Sequence, residues 1–278
     1  MLWIEKDGSK FMWFPGPVLF RIGSIPINTL GAAVALATLL GLWIVNREAG
    51  RQGIHADYLT EFAVYCVLGG VAGARLWFVL FMWSYYAAHP AEIFMIWMGG
   101  LAIQGGILGG ILTGIRLAKK HRLPVWQVAD IVAPPLILGM AIGRISDFLT
   151  GDAYGIPSRS FLAVQYPPGT FVYNVFGSTP VLPMPLFEAI GDLIILGMLL
   201  LIKYKKPFQG FLFLLMLELY SVLRFVLEFW RGDSLRTVLN LKVAQLTALA
   251  TILIAIGFMI GCYRQTKGHR RKLRSREN

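Results

Sequence analysis

Seven stretches of the chain are apolar over about the 20 residues that a helix needs to cross a bilayer. They are residues 25–45, 58–81, 98–118, 125–149, 185–202, 208–230 and 243–262. The first and the last hold no charged residue at all. The fourth and sixth hold several, so they are expected to face protein rather than lipid. Polar and basic segments separate the seven, and their Lys and Arg residues are unequal: 16 fall on one side and 7 on the other. The richer side is expected to be cytoplasmic. The pattern thus predicts an all-α, polytopic membrane protein with seven transmembrane helices, the N-terminus outside and the C-terminus cytoplasmic. Residues 1–278 are read as one transmembrane domain. It carries a small extracytoplasmic cap at about 151–184, rich in Gly, Pro and aromatic residues, and a basic cytoplasmic tail at 263–278. Gly69, Gly70 and Gly73 on the second stretch, and Gly105, Gly106, Gly109, Gly110 and Gly114 on the third, have the spacing that lets helices approach closely.

Composition narrows the classes further. Of 278 residues, 56 % are hydrophobic and 15 % charged, against roughly 25 % charged in an ordinary soluble domain. Disorder, a disulfide scaffold and a nucleic-acid binder of the usual kind are excluded. Cys66 and Cys262 each sit inside an apolar run and read as small buried hydrophobes. Glu5 and Asp7, with no apolar stretch beside them, do not make a signal peptide. The net charge of +11 is mostly the cytoplasmic rim, which sets topology and attracts anionic headgroups.

Besides Arg116 near the end of the third, ten charged residues fall within the apolar stretches: Glu61, Arg75, Asp130, Arg144, Asp147, Glu188, Asp192, Glu218, Arg224 and Glu228. A charge at mid-bilayer costs several kcal/mol, so each needs a reason. Under the expected orientation Arg75, Arg144 and Arg224 all lie roughly 10 Å below the outer surface, at 1.5 Å per residue. Glu188, Asp192, Gln104, Asn28 and Thr29 share that level. This is the pattern of a polar cavity in the outer half of the membrane. Arg224, Glu228 and Arg231 follow at i, i+4 and i+7, which predicts one helix face. Arginine grips phosphate with a planar fork, and a phospholipid phosphate is the anion available at this level. An anion channel, a transporter or a lipid flippase would use the same features, and these readings stay open on the residues alone.

Five segments carry a resemblance. They are Gly73-Ala74-Arg75-Leu76, GGLAIQGGILGG at 99–110, GRISDFLTGDAYG at 143–155, LPMPLFEA at 182–189, and the run Arg224, Glu228, Arg231. Together they resemble the bacterial prolipoprotein diacylglyceryl transferase family, from about residue 21 to 262. The resemblance implies a transferase in the bacterial inner membrane. It would move the diacylglyceryl group of phosphatidylglycerol to the thiol of a lipobox cysteine in a preprolipoprotein signal peptide, leaving a thioether and glycerol phosphate. It implies no metal and no organic cofactor, and no nucleic acid as partner. Carried over by motif, Arg144, Arg224, Glu228, Gln104 and Arg231 would be catalytic. Arg75, Asp147, Asp152, Gly155 and Glu188 would bind substrate.

The chain also departs from the family pattern. Gln104 stands where the family has a histidine, Asp147 and Thr150 where it has asparagines, and Asp152 where it has a glutamate. Leu182 replaces a second histidine, and Leu30-Gly31 a Tyr-Gly pair. A free thiol has a pKa of about 8.5, so its proton must be removed or its pKa lowered. An amide such as Gln104 is not basic near neutral pH. His55, His89, His121 and His269 lie in loops or the tail. Two routes remain: the arginine field lowers the thiol pKa, or Asp147, Asp152 or Glu228 acts as base. Beside the enzyme stand a non-catalytic relative that binds phospholipid or lipoprotein, resting on Gln104 and Leu182, and a transporter. Against the transporter, no inverted repeat is evident.

Overall fold

The structure, a computed structural model, describes residues 3–6, 9–12, 18–22, 25–51, 53, 56–96, 99–234 and 241–277. Met98, the expected start of the third span, lies outside them, as does His55. Helices dominate: α1 (Thr29–Arg51), α2 (Ala56–Phe81), α3 (Trp83–Tyr86), α4 (Ile103–Lys120), α5 (Val125–Thr150), α6 (Phe171–Phe176), α7 (Met184–Ile202), α8 (Phe211–Leu227) and α9 (Val243–Glu277). Two short antiparallel hairpins precede them, β1 (Trp3–Lys6) with β2 (Ser9–Met12) and β3 (Val18–Ile22) with β4 (Ile25–Asn28). The second hairpin takes residues 25–28 out of the expected first span. Pro26 has no N–H for a helical ladder and suits an edge strand instead.

Among the described residues, five helices are long and apolar enough to cross a membrane: Thr29–Arg51, Thr60–Phe81, Val125–Thr150, Met184–Ile202 and Val243–Lys267. The other two expected spans form helices but shorter ones. α4 begins at Ile103 because Gly99 and Gly100 take left-handed backbone, φ 85° and 73°. α8 begins at Phe211 after Gly210, whose φ of 91° ends the preceding loop.

The chain forms two compact units, residues 42–131 and the combination of 1–41 with 132–278. In the first unit α2 and α4 pack antiparallel with almost no side chain between them. A Cβ added at Gly73 would lie 2.4 Å from the Gly105 carbonyl, and one at Gly109 would lie 2.2 Å from the Gly69 carbonyl. At one end of this pair Glu61 accepts from Lys120 Nζ at 2.9 Å and meets His121 Nε2 at 2.9 Å.

In the second unit α5, α7 and α8 share a core of Ala133, Ile137, Ile195, Leu199, Leu212 and Met216. Prolines 134 and 135 stand inside α5, a placement that membrane helices tolerate where neighbouring helices satisfy the freed carbonyls. Between α5 and α7, residues 151–184 fold around buried Tyr154, Tyr166, Val172 and Val181, packed on Phe148. The Thr170 hydroxyl caps α6 by accepting from the Tyr173 N–H at 3.3 Å.

Candidate active site

Glu188 lies in the second turn of α7 and is 3 % exposed. Three guanidinium groups converge on its carboxylate. Arg144 of α5 places Nε 2.8 Å from Oε2. Arg231 donates from Nη1 to Oε1 at 2.8 Å, and Arg224 of α8 donates to the same oxygen. Each arginine also has a carboxylate of its own. Arg144 pairs with Asp147 at 3.0 Å, Arg224 with Glu228 at 3.0 Å, and Arg231 with Asp233 through two bonds of 2.9 and 2.6 Å. Tyr220 is a further hydrogen-bond partner of Arg144. Lys242 donates to the carbonyls of Glu228 and Arg231, the latter at 2.6 Å. Three guanidinium groups therefore meet four carboxylates, with the Lys242 ammonium on two backbone carbonyls beside them. Glu188 and Glu228 are buried, so their charges are screened less than they would be at a surface.

The helix-face expectation fails at Arg231. α8 ends at Leu227, residues 228–230 form a 3-10 turn, and Arg231 has extended backbone with φ −76° and ψ 135°. It reaches the cluster through a strand-like pairing with Gly155. The Ile156 N–H donates to the Trp230 carbonyl at 2.9 Å, and the Gly232 N–H donates to the Tyr154 carbonyl at 3.1 Å. Gly155 permits this approach: an added Cβ would lie 2.7 Å from the Leu182 carbonyl and 2.7 Å from Met184 Cγ. Its role is to let the segments at 155, 182 and 231 come together. Burial pushes the Arg231 pKa down, but Glu188 and Asp233 outweigh that and hold it above the usual guanidinium value.

Asp152 is exposed and accepts from the Thr150 hydroxyl at 2.7 Å, outside the arginine network. Arg75 and Gln104 belong to the other unit. Gln104 is exposed in the first turn of α4. Arg75 was expected at a lipid phosphate. Its guanidinium donates instead to four carbonyls: Nε to Ile93 at 2.8 Å, Nη1 to Gly99 at 2.7 Å and Gly100 at 3.0 Å, and Nη2 to Glu92 at 2.5 Å. Its positive end lies 5.2 Å from the Tyr86 ring centre.

Sequence reasoning left Tyr220, Asp233 and Lys242 out of the site, and it placed Asp192 at the level of the cavity without giving it a role. Asp192 is fully buried one turn along α7 from Glu188, and its carboxylate has no hydrogen bond among the described residues. Its signal in the sequence was a second carboxylate four residues from the first within an apolar run.

A buried carboxylate held by three guanidinium groups marks a place built for an oxyanion. The sequence model of the prolipoprotein diacylglyceryl transferase family matches residues 17–261. The chain belongs to that family. A curated family member of Staphylococcus aureus strain bovine RF122 / ET3-1, named phosphatidylglycerol–prolipoprotein diacylglyceryl transferase, is 38 % identical over 254 residues. That stretch is 90 % of this chain and 90 % of the relative. The protein of the same name from strain JH9 matches to the same extent. The family match takes in the whole arginine cluster, Gln104, Arg75 and Lys242, and leaves the tail beyond residue 261 outside.

Proposed function

We propose that this transferase-family chain moves a diacylglyceryl group from phosphatidylglycerol to the cysteine thiol of a lipobox peptide. The observation that carries this is the convergence of Arg144, Arg224 and Arg231 on Glu188. A phosphodiester brings two free oxygens and one negative charge, so it can accept from these guanidinium groups as the Glu188 carboxylate does. In the reaction the thiol gives up its proton, sulfur bonds to the glycerol carbon, and the bond from that carbon to the phosphate oxygen breaks. The electron pair stays on that oxygen, and glycerol phosphate leaves with one more negative charge than it had in the lipid. Arginines aimed at that oxygen bind the transition state more strongly than the lipid, which is what accelerates a reaction. The same positive field favours thiolate over thiol. Gln104, an amide, takes no proton. Asp147 and Glu228 keep Arg144 and Arg224 oriented, and Asp152 acts at the edge of the substrate site.

The proposal includes the membrane arrangement. α4 and α8 complete seven spans in one transmembrane domain. α8 does so with its 3-10 extension to Trp230. The 16-to-7 bias of Lys and Arg favours a cytoplasmic C-terminus in the bacterial inner membrane. A binding protein without turnover is the second reading, favoured by Gln104 in place of a base. One experiment separates the two. Purified protein is incubated with phosphatidylglycerol and a lipobox peptide, and the peptide is weighed by mass spectrometry. The expected outcome is a diacylglyceryl mass shift, lost by roughly 100-fold or more in Arg144→Ala and Arg224→Ala and unchanged in Lys119→Ala. Gln104→His is expected to raise the rate. Full activity in Arg144→Ala defeats the proposal, and bound lipid without any mass shift favours the binding role.

A further inference from the structure

We infer that the groove between the start of α8 and the second half of α9 is a binding site for an anionic phospholipid, separate from the arginine cluster. The groove encloses about 670 Å³. Phe208 and Phe211 form one wall, with their rings edge to face and centroids 5.5 Å apart. One face of α9 forms the other, through Met259, Tyr263, Arg264 and Lys267.

The order of chemistry along that face points to the ligand. Over nine residues, a rise of about 12 Å along the helix, it runs from a flexible apolar side chain through a phenol to two cations. A phospholipid lying along the helix presents acyl chain, ester carbonyls and phosphate in the same order. Among the described residues, no acidic side chain lines the groove. Lys203, Lys205 and Lys206 lie just before Pro207 at its edge and add to the positive charge. A zwitterionic headgroup brings no net charge to these residues, whereas an anionic one brings a net negative charge. Two cations near a lipid surface correspond to about a 30-fold preference for anionic lipid.

The groove is distinct from the reaction site. Thirteen residues of α8, about 20 Å, separate Phe211 from Arg224. Arg264 and Lys267 also lie beyond the end of the family match at residue 261. The plain alternative is that both cations snorkel to the bulk membrane surface and select no lipid in the groove.

The test uses the full-length protein in phosphatidylcholine nanodiscs doped with a phosphatidylserine that carries a photoactivatable acyl chain. The control is the phosphatidylcholine analogue with the same chain. Phosphatidylserine keeps the readout apart from the proposed substrate, and labelling needs no turnover. The expected result is labelling of the peptide around Met259–Tyr263, about 30-fold stronger with phosphatidylserine than with phosphatidylcholine. Arg264→Glu with Lys267→Glu should bring the two probes level and leave transfer within about twofold of wild type. In the wild-type protein, high salt should shrink the preference, a measurement that stands even if the charge-reversed variant does not fold. Equal labelling of the wild-type protein by both probes overturns the inference, as does a preference that survives the substitutions. Loss of labelling on adding excess inorganic phosphate, beyond that caused by sodium chloride of equal ionic strength, also overturns it, because the site would then take a soluble anion rather than a lipid.

Discussion

Arg75 and Arg224 are the same residue type, each late in a long apolar helix, and they do opposite things. Arg75 donates to four neutral carbonyls of the loop that contains Gly99 and Gly100. Arg224 meets two buried carboxylates, Glu188 and Glu228. Carbonyl partners are part of the backbone, so Arg75 cannot exchange them without undoing the loop. Arginine N–H groups that face carboxylates can be shared with an added anion. Depth in the membrane and residue type do not distinguish these two arginines. The charge of their partners does.

The largest test of this contrast removes the shared partner. Glu188→Ala leaves three guanidinium groups in a buried site without their common counter-ion. A loss of about 3–5 kcal/mol is expected, read as a lower melting temperature of the purified protein in detergent. A melt equal to wild type would break the comparison.

The second test moves to the unit in which glycines let two helices approach closely. Gly73→Val puts a branched side chain where a single Cβ already lies 2.4 Å from the Gly105 carbonyl and 2.9 Å from Gly109 Cα. Backbone cannot step aside as a side chain can, so about 1–3 kcal/mol of stability should be lost. Gly257→Ala, which meets nothing within 4 Å, should melt as wild type does. The smallest expected effect is that of Arg75→Lys. An ammonium cannot reproduce the planar fork, and losing part of four hydrogen bonds should cost about 1–2 kcal/mol. The KM for phosphatidylglycerol is expected to stay at the wild-type value. A raised KM at unchanged melting temperature would instead put Arg75 at the lipid.

Much of the candidate site was legible in advance because burying a charge in an apolar stretch is costly and therefore conspicuous. Arg144, Glu188, Arg224 and Glu228 all stood out in this way, and so did the glycine spacing of α2 and α4. Arg231 was found for the wrong reason. Its i+7 spacing suggested a helix face, whereas a 3-10 turn and the pairing with Gly155 carry it to Glu188. Asp233 and Lys242 gave little signal because they lie in polar segments, where a charge needs no explanation. The first span was read four residues too long at its start, because Ile25 and Ile27 are as apolar in a strand as in a helix.

Apolar length and the cost of charge in lipid are properties of short segments, so the sequence by itself determined the long helices, the basic rim and the set of residues that needed partners. Which partner each received was decided only by tertiary structure. Glu188 meets Arg224 across 36 residues of sequence and Arg231 across 43. Such meetings depend on where α8 stops and on how closely the backbones at Gly155 and Gly232 can approach. Those distances are set by packing between segments, which no local pattern of residues encodes.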